Sequence, residues 1–227
     1  MSSSRMYYDL VSSLPPLPYF EKANRNPINR DRLNDRMLLL EPEDQEVIGR
    51  AAEFLAWQRQ PAARTDKEMV EMYNTFIEDS QQPIFQAMVQ NRMHQRTIMA
   101  ALRRKRKGLP KPEKGEPWGV GPWVLSIEKN WDAPHFKLAS VFPWIPEAQN
   151  LLDTQKALDL DRLLMAEEWK WLDGLAFVNE FSFEALLAYL FRWDILDLWL
   201  SYNTEAAKER FEELVAEVMG EHIKLFK

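Results

Sequence analysis

The sequence contains no cysteine, and this absence removes several classes of site at once. Among 227 residues there is no thiol, so disulfide bonds, zinc–thiolate centres and thiol nucleophiles are excluded. Nothing in the composition indicates an oxidising compartment. A chain of this length can bury enough surface to fold without cross-links.

Long hydrophobic runs are also missing. Residues 1–17 lack the apolar core of about 7–15 residues that marks a signal peptide, and no run reaches the roughly 18 apolar residues of a spanning helix. We therefore expect a cytoplasmic protein. On this interpretation it reaches a membrane only through a partner and does not insert directly.

The sequence carries no recognisable catalytic or metal-binding pattern. A di-metal site in a helical bundle needs Glu-x-x-His, and none of His94, His135 and His222 has a glutamate three residues before it. Gly119 and Gly121 lack the third glycine of a nucleotide loop, and there is no Walker lysine motif or nucleophile elbow. We predict a protein that is not an enzyme, with no catalytic residue, metal, cofactor or small-molecule substrate.

Proline is absent after Pro146, whereas seven of the fourteen prolines lie between Pro110 and Pro146. The last part of the chain can therefore be helical without interruption, and residues 109–146 cannot. This connection also holds four tryptophans, which is unusual for a disordered linker. We predict a long irregular loop packed onto the helices, in which Trp123 to Ile127 allow a short strand and so one strand pair.

The chain is organised around the apolar segment from Ser182 to Trp199, which we predict to be the central helix. Ser182 is a suitable N-cap, and Glu184 places a carboxylate in the first turn. Two apolar rows predict burial on most sides. One row is Leu187, Leu190, Phe191, Ile195 and Leu198, and the other is Leu186, Tyr189, Trp193, Leu196 and Leu200.

The remaining helical patterns complete an all-α prediction. A capping box at Thr65 to Glu68 opens a long helix, which Pro83 should kink or divide and which ends before Gly108. Further helices are predicted at 42–58, 148–164, 166–175 and, capped by Thr204, at 204–224. We predict one helical domain over 1–227, a compact bundle with N-terminal helices in 1–108, the packed connection in 109–146 and C-terminal helices in 147–227.

The N-terminal segment differs from the rest of the chain. Tyr7 to Val11 are predicted to be extended, and Leu14 to Pro18 to continue in polyproline II geometry. We interpret the segment as a strap across the helices. The alternative, a ligand for an SH3-type domain, lacks a basic residue at ligand spacing beside the prolines.

Charge is unevenly distributed in a chain of formal net charge −6. Seven basic residues and one acidic residue lie between Arg103 and Lys114. This cluster could contact phosphates or an acidic protein surface, or simply complement the dipole at a helix C-terminus. The pI of about 5.3 and the absence of a recognised nucleic-acid-binding motif argue against nucleic acid.

Several stretches, in their order along the chain, resemble a known family. Residues 7–17, YYDLVSSLPPL, are similar to the start of a bacterial family associated with V-type rotary ATPases and related to their archaeal C-type and eukaryotic d-type stalk subunits. Asn91 to Gly108 resembles a helix of those subunits, with Asn followed by a basic end and glycine. Four further stretches resemble the C-terminal half of the same family: Phe142-Pro143-Trp144, Trp171-Leu172-Asp173, 181–190 and Phe211-Glu212-Glu213-Leu214.

The resemblance implies an all-α, non-catalytic adaptor that couples the proton- or sodium-carrying rotor ring to the central stalk. The chain would then be cytoplasmic and peripheral at the inner membrane. The related stalk subunits are longer and have three helical repeats, so an accessory protein-interaction module is the alternative, and a nucleic-acid-binding helical protein is less favoured. The candidate partner-binding residues are Arg103, Arg104, Lys105, Arg106, Lys107, Trp118, Trp123 and Trp131.

Overall fold

The computed structural model describes residues 5–55, 64–79 and 83–202. Helices make up 70% of these residues and no strand occurs among them, which confirms the all-α prediction. The helices are α1 (Tyr8–Ser13), α2 (Arg30–Met37), α3 (Pro42–Leu55), α4 (Asp66–Asp79), α5 (Pro83–Arg106), α6 (Trp123–Lys129), α7 (Ile145–Asp153), α8 (Ala157–Val178) and α9 (183–202).

None of the helices in these described ranges has both the length and the apolar character that crossing a membrane requires.

Helix α9 occupies the centre that the sequence predicted for it. The Ser182 hydroxyl accepts a hydrogen bond from the backbone N–H of Ala185 at 3.3 Å, as expected of an N-cap. Leu187, Phe191 and Ile195 are buried on one row, in a core shared with residues of α3, α4, α5 and α8. In the second row, Leu186, Leu196 and Trp193 are each at most 2% exposed. Three members of the two rows, Leu190, Leu198 and Leu200, are half-buried.

Helix α5 connects two hydrophobic cores. Its first half packs Phe85, Met88 and Val89 into the core around α9, and its second half packs Ile98 and Leu102 into another. That second core contains Trp118, Trp131, Trp144, α7 and the start of α8. The 109–146 connection is therefore packed onto the helices, as predicted.

The strand predicted at Trp123 to Ile127 is wrong, because these residues begin α6. In a strand, Trp123, Leu125 and Ile127 would share a face. Leu125 is instead 76% exposed while Ile127 is completely buried. Ile127 packs in the same core as Ile98 of α5. The segment therefore buries one side of a helix and not every second residue, as a strand would.

The extended segment predicted at Tyr7 to Val11 is also wrong, since α1 begins at Tyr8. An antiparallel bridge joins Met6 to Ser182. Residues 14–19 then continue without helical structure, and the carbonyl of Pro15 accepts a hydrogen bond of 2.8 Å from the Tyr189 hydroxyl. The strap across the helices is confirmed.

One predicted boundary is wrong, and two further predictions concern residues outside the described ranges. The pieces predicted at 148–164 and 166–175 are instead α7 and α8, separated near Gln155, whose φ is +58°. The interruption predicted at Pro83 involves residues 80–82, outside the described residues, although α5 begins at Pro83. The helix capped by Thr204 at 204–224 also lies outside them.

Candidate protein-binding site

The basic end of α5 has the C-terminal geometry that its sequence predicts. Gly108 has φ +67°, a left-handed conformation that favours glycine. Its N–H donates to the carbonyl of Lys105 at 2.9 Å, and the N–H of Leu109 donates to that of Arg104 at 3.2 Å. These two bonds form a Schellman motif, which ends the helix sharply.

Arg104 turns back onto the connection that follows α5. Its Nε donates to the carbonyl of Pro110 at 2.8 Å, and its guanidinium pairs with the carboxylate of Glu116. The guanidinium, together with a hydrogen bond from the N–H of Glu113, lowers the pKa of Glu116. Arg104 therefore holds the start of the loop against the helix end.

Lys105 holds a later part of the same loop. Its Nζ donates to the carbonyls of Trp131 at 2.9 Å and Ala133 at 3.5 Å. The ammonium also lies 5.4 Å from the centroid of the Phe136 ring, a distance at which a cation is attracted to an aromatic face. The charged groups of both Arg104 and Lys105 therefore bind groups of the chain itself and are not freely exposed.

The three predicted tryptophans lie mainly in the fold. Trp118 and Trp131 are 4% and 7% exposed and belong to the second core. The indole N–H of Trp118 donates to Glu128 at 3.0 Å. Trp123 is half-buried, with its ring centroid 5.3 Å from that of Phe142. Buried rings of this kind position the loop and offer little surface to a partner.

The predicted set is thus divided by the structure. Arg103, Arg106 and Lys107 are exposed, and the exposed Lys111 and Lys114 follow along the chain. We call these five residues the basic surface. It is smaller than the sequence suggests because two of the cations stabilise the connection.

A second candidate surface was not identified from the sequence. Phe177 and Val178, at the end of α8, are 80% and 79% exposed. Tyr8 is 58% exposed and its ring centroid lies 5.3 Å from that of Phe181. We call Tyr8, Phe177, Val178 and Phe181 the apolar surface.

Helical periodicity could have identified this surface. The buried residues of α8 include Met165, Glu168, Trp169 and Leu172, a spacing that continues to 175, 176 and 179. Phe177 and Val178 fall off this face. Adjacent large apolar residues that lie off the buried face of a helix mark a candidate contact site.

A groove lies next to the apolar surface. It has a volume of about 420 Å³ and lies between the strap, the end of α8 and α9. Its lining includes Leu14, Leu17, Phe181 and Leu186, with Arg192 also present. Phe181 belongs to both features, so an apolar segment of a partner could follow from one to the other.

The described residues offer no alternative centre for a metal ion. Over 5–55, 64–79 and 83–202 there is no group of three or more histidine, aspartate or glutamate side chains that could hold one. The two candidate surfaces consist of exposed cations and of apolar side chains.

The chain belongs to the family described as protein of unknown function (DUF2764), whose sequence profile matches residues 52–222. That range includes the basic surface and both Phe177 and Val178, whereas Tyr8 and the strap precede it. The chain matches no curated protein and no solved structure.

Proposed function

We propose that this member of the DUF2764 family is a non-catalytic adaptor that binds other proteins, and that its partners belong to a V-type rotary ATPase. The adaptor would couple the rotor ring to the central stalk and thereby serve proton or sodium transport. The choice of partner rests on two resemblances. Residues 7–17, 142–144, 171–173, 181–190 and 211–214 resemble a bacterial family associated with V-type rotary ATPases, and residues 91–108 resemble a helix of the related C-type and d-type stalk subunits.

The observation that carries the adaptor proposal is the exposure of Phe177 and Val178, at 80% and 79% of their surface. Exposed apolar patches on soluble proteins mark contact sites more often than scattered single residues do. Three residues after Val178, Phe181 packs against the exposed Tyr8 ring and also lines the groove. Covering these groups removes apolar area from water, at roughly 25 cal/mol per Å².

The basic surface supports the same proposal through electrostatics. Arg103, Arg106 and Lys107 are exposed at one helix end, on a chain whose formal net charge is −6. Such a local reversal of sign orients an acidic partner and speeds its association. Polar cytoplasmic loops of a rotor ring would meet this surface, and a coiled-coil stalk would meet the apolar one.

Cellular location follows from this proposal. The adaptor would be cytoplasmic and peripheral at the inner membrane, held there by the ATPase. The alternative of an accessory module with another protein partner uses the same two surfaces. Nucleic acid is less favoured, because Arg104 and Lys105 bind carboxylate and carbonyl groups of the chain itself and leave fewer cations for phosphates.

The experiment compares the two surfaces in binding to purified rotary ATPase by biolayer interferometry. Replacing Phe177 and Val178 with serine should speed dissociation about tenfold or more, because lost apolar contacts affect mainly the dissociation rate. Replacing Arg103 and Arg106 with glutamate should slow association and reduce its salt dependence. Leu158→Ser is the matched control, since Leu158 is 53% exposed near the other end of α8.

Binding that is unchanged in both double variants would overturn the proposal. If only the serine variant loses affinity, the apolar surface is the interface, and the basic surface serves only to stabilise the C-terminal end of α5. If wild-type protein does not bind the ATPase but retains another protein through Phe177 and Val178, the accessory-module alternative replaces the rotary partner.

A further inference from the structure

A cavity of about 560 Å³ lies between α5, α8 and residues 141–144. Its volume falls within the roughly 300–1,000 Å³ range of small-molecule sites. Neither the basic surface nor the apolar surface contributes to its lining. It is therefore a separate feature of the molecule, with its own chemistry.

One wall of the cavity is aromatic. Phe142 and Trp144 line it from the loop, and Trp171 lines it from α8. The Phe142 and Trp144 ring centroids are 6.1 Å apart with their planes at 62°. Aromatic faces carry partial negative charge and attract cations.

The lining of the cavity also includes polar side chains, and Glu168 is the most buried of them. This side chain lines the cavity although the residue is only 3% exposed. Asn91 Nδ2 donates to Glu168 Oε2 at 3.1 Å. A carboxylate can accept several hydrogen bonds, so Glu168 can accept a further bond from a ligand.

The neighbouring Gln95 side chain is held in place by two hydrogen bonds. Gln95 Nε2 donates to the carbonyl of Leu164 at 2.9 Å, and Gln95 Oε1 accepts from Arg92 at 2.5 Å. These bonds tie the Gln95 side chain of α5 to α8 where it lines the cavity. A ligand would therefore meet a fixed amide and the Glu168 carboxylate as its acceptor.

We propose that this cavity binds a small organic cation, a primary arylalkylamine in its protonated form. The ammonium would donate to the Glu168 carboxylate, and the ring would pack between Phe142 and Trp171. A carboxylate inside an aromatic enclosure suits a cation better than a neutral or anionic molecule, because both the charge and the ring faces attract it.

The surrounding charges set how strongly the cavity attracts a cation. Arg92 on α5 faces Glu168 and competes with the ligand, while Glu167 and Lys170 on α8 line the cavity with opposite charges. Asp161 acts on Arg92 from α8, and residues 141–144 contribute no titratable side chain. Burial nevertheless raises the pKa of Glu168 to about 7, so Arg92 does not fully compensate the carboxylate.

Affinity for the amine should depend on pH in a defined direction. Because the pKa of Glu168 is raised to about 7, the empty cavity holds a largely neutral carboxyl group at pH 6 and a carboxylate at pH 8. A primary arylalkylamine, whose nitrogen is on an alkyl carbon, stays protonated over this range. Binding should therefore strengthen as the pH rises from 6 to 8.

The test is isothermal titration calorimetry of the full chain with three related probes at pH 8: phenethylamine, 2-phenylethanol and phenylacetate. We expect phenethylamine to bind about tenfold or more tightly than the alcohol or the anion. Glu168→Gln should reduce its affinity about tenfold, since the amide keeps a hydrogen-bond acceptor but has no charge. Glu147→Gln, on exposed Glu147 of α7, is the matched control and should leave affinity unchanged.

A second variant tests the cavity without touching the carboxyl group. Gly174 lines the cavity, and a Cβ atom added there meets nothing within 4 Å. Gly174→Phe should therefore fill the space, retain the fold and abolish binding. The proposal is overturned if phenethylamine shows no saturable binding up to about 10 mM, if phenylacetate binds as well as the amine, or if Gly174→Phe binds as tightly as wild type.

Discussion

Glu168 shows how strongly its surroundings alter the chemistry of one residue. Glu168 is only 3% exposed. Burial raises the pKa of its carboxyl group from 4.5 to about 7, although Arg92 and Asn91 act to lower it. Arg92 responds in the complementary sense, since burial lowers its pKa to about 10. Burial makes the charged forms of both Glu168 and Arg92 unfavourable, and the attraction between the two groups offsets only part of this desolvation cost.

The raised pKa predicts how stability depends on pH. The folded chain retains a proton on Glu168 that the unfolded chain releases between its ordinary pKa of 4.5 and about 7. The contribution of Glu168 to the free energy of unfolding therefore falls as pH rises through this window and is constant above it. Each pKa unit corresponds to about 1.4 kcal/mol, so the effect is at most about 3 kcal/mol.

Glu168→Gln isolates this contribution, because glutamine does not titrate. Relative to wild type, the variant should gain stability between pH 5 and pH 8, as measured by urea unfolding followed by circular dichroism. Glu147→Gln, at an exposed position of α7, should show no such gain. Parallel pH profiles for wild type and Glu168→Gln would contradict the assignment of a neutral buried carboxyl group.

Two phenylalanines predict opposite outcomes for the same substitution. Phe191 of α9 is 5% exposed and Phe177 of α8 is 80% exposed. Phe191→Ala should lower the free energy of unfolding by about 3–5 kcal/mol, through lost burial and a cavity. Phe177→Ala should cost less than about 0.5 kcal/mol. Equal losses in urea unfolding would show that the placement of these two helices is wrong.

Two glycines make the corresponding prediction at the scale of a helix. Gly174 lies inside α8 with open space where a Cβ atom would lie, whereas Gly108 ends α5 with φ +67°. Gly174→Ala should stabilise by about 0.5–1 kcal/mol, since alanine is the better helix former. Gly108→Ala should destabilise by about 1–2 kcal/mol, since a left-handed conformation is unfavourable for a Cβ.

Thermal unfolding of both alanine variants checks this pair. A lower melting temperature for Gly174→Ala would mean that the space beside Gly174 is closed. An unchanged melting temperature for Gly108→Ala would mean that the Schellman motif at the end of α5 contributes little.

Elements with local signals were predictable from the sequence. The capping box forms as expected, because Thr65 N–H donates to Glu68 Oε2 at 2.7 Å and Glu68 N–H donates to Thr65 Oγ1 at 3.2 Å. The N-cap at Ser182 and the glycine end of α5 are local in the same way. Each depends on a few consecutive residues, so the sequence contains the whole signal.

Elements set by tertiary contacts were not predictable. The run Trp123 to Ile127 has strand-forming residues, yet it is helical because Ile127 packs against α5. His135, Phe136 and Lys137 all have positive φ, without glycine to indicate it. The Phe136 ring is buried under Lys105. This tertiary contact, and not a local backbone preference, stabilises the turn.

At the scale of the whole molecule, the sequence predicted helices and a packed connection but not which side chains remain outside. Trp118 and Trp131 were candidate contacts and lie in the core, while Phe177 and Val178 are exposed. The cavity was also beyond prediction, because Asn91 and Glu168 are 77 residues apart in sequence. Sites formed by such distant residues depend on the packing of α5 against α8, which no local pattern contains.

We propose that the molecule acts by binding a rotary ATPase through its exposed surfaces. The most direct measurement is affinity purification of the tagged full chain from its native cell at moderate salt, with mass spectrometry of what remains bound. Rotor-ring or stalk proteins of the ATPase should be recovered with wild type and with the Leu158→Ser control. They should be depleted with the variant that carries serine at Phe177 and Val178. Recovery of wild-type protein without any ATPase component would contradict the account.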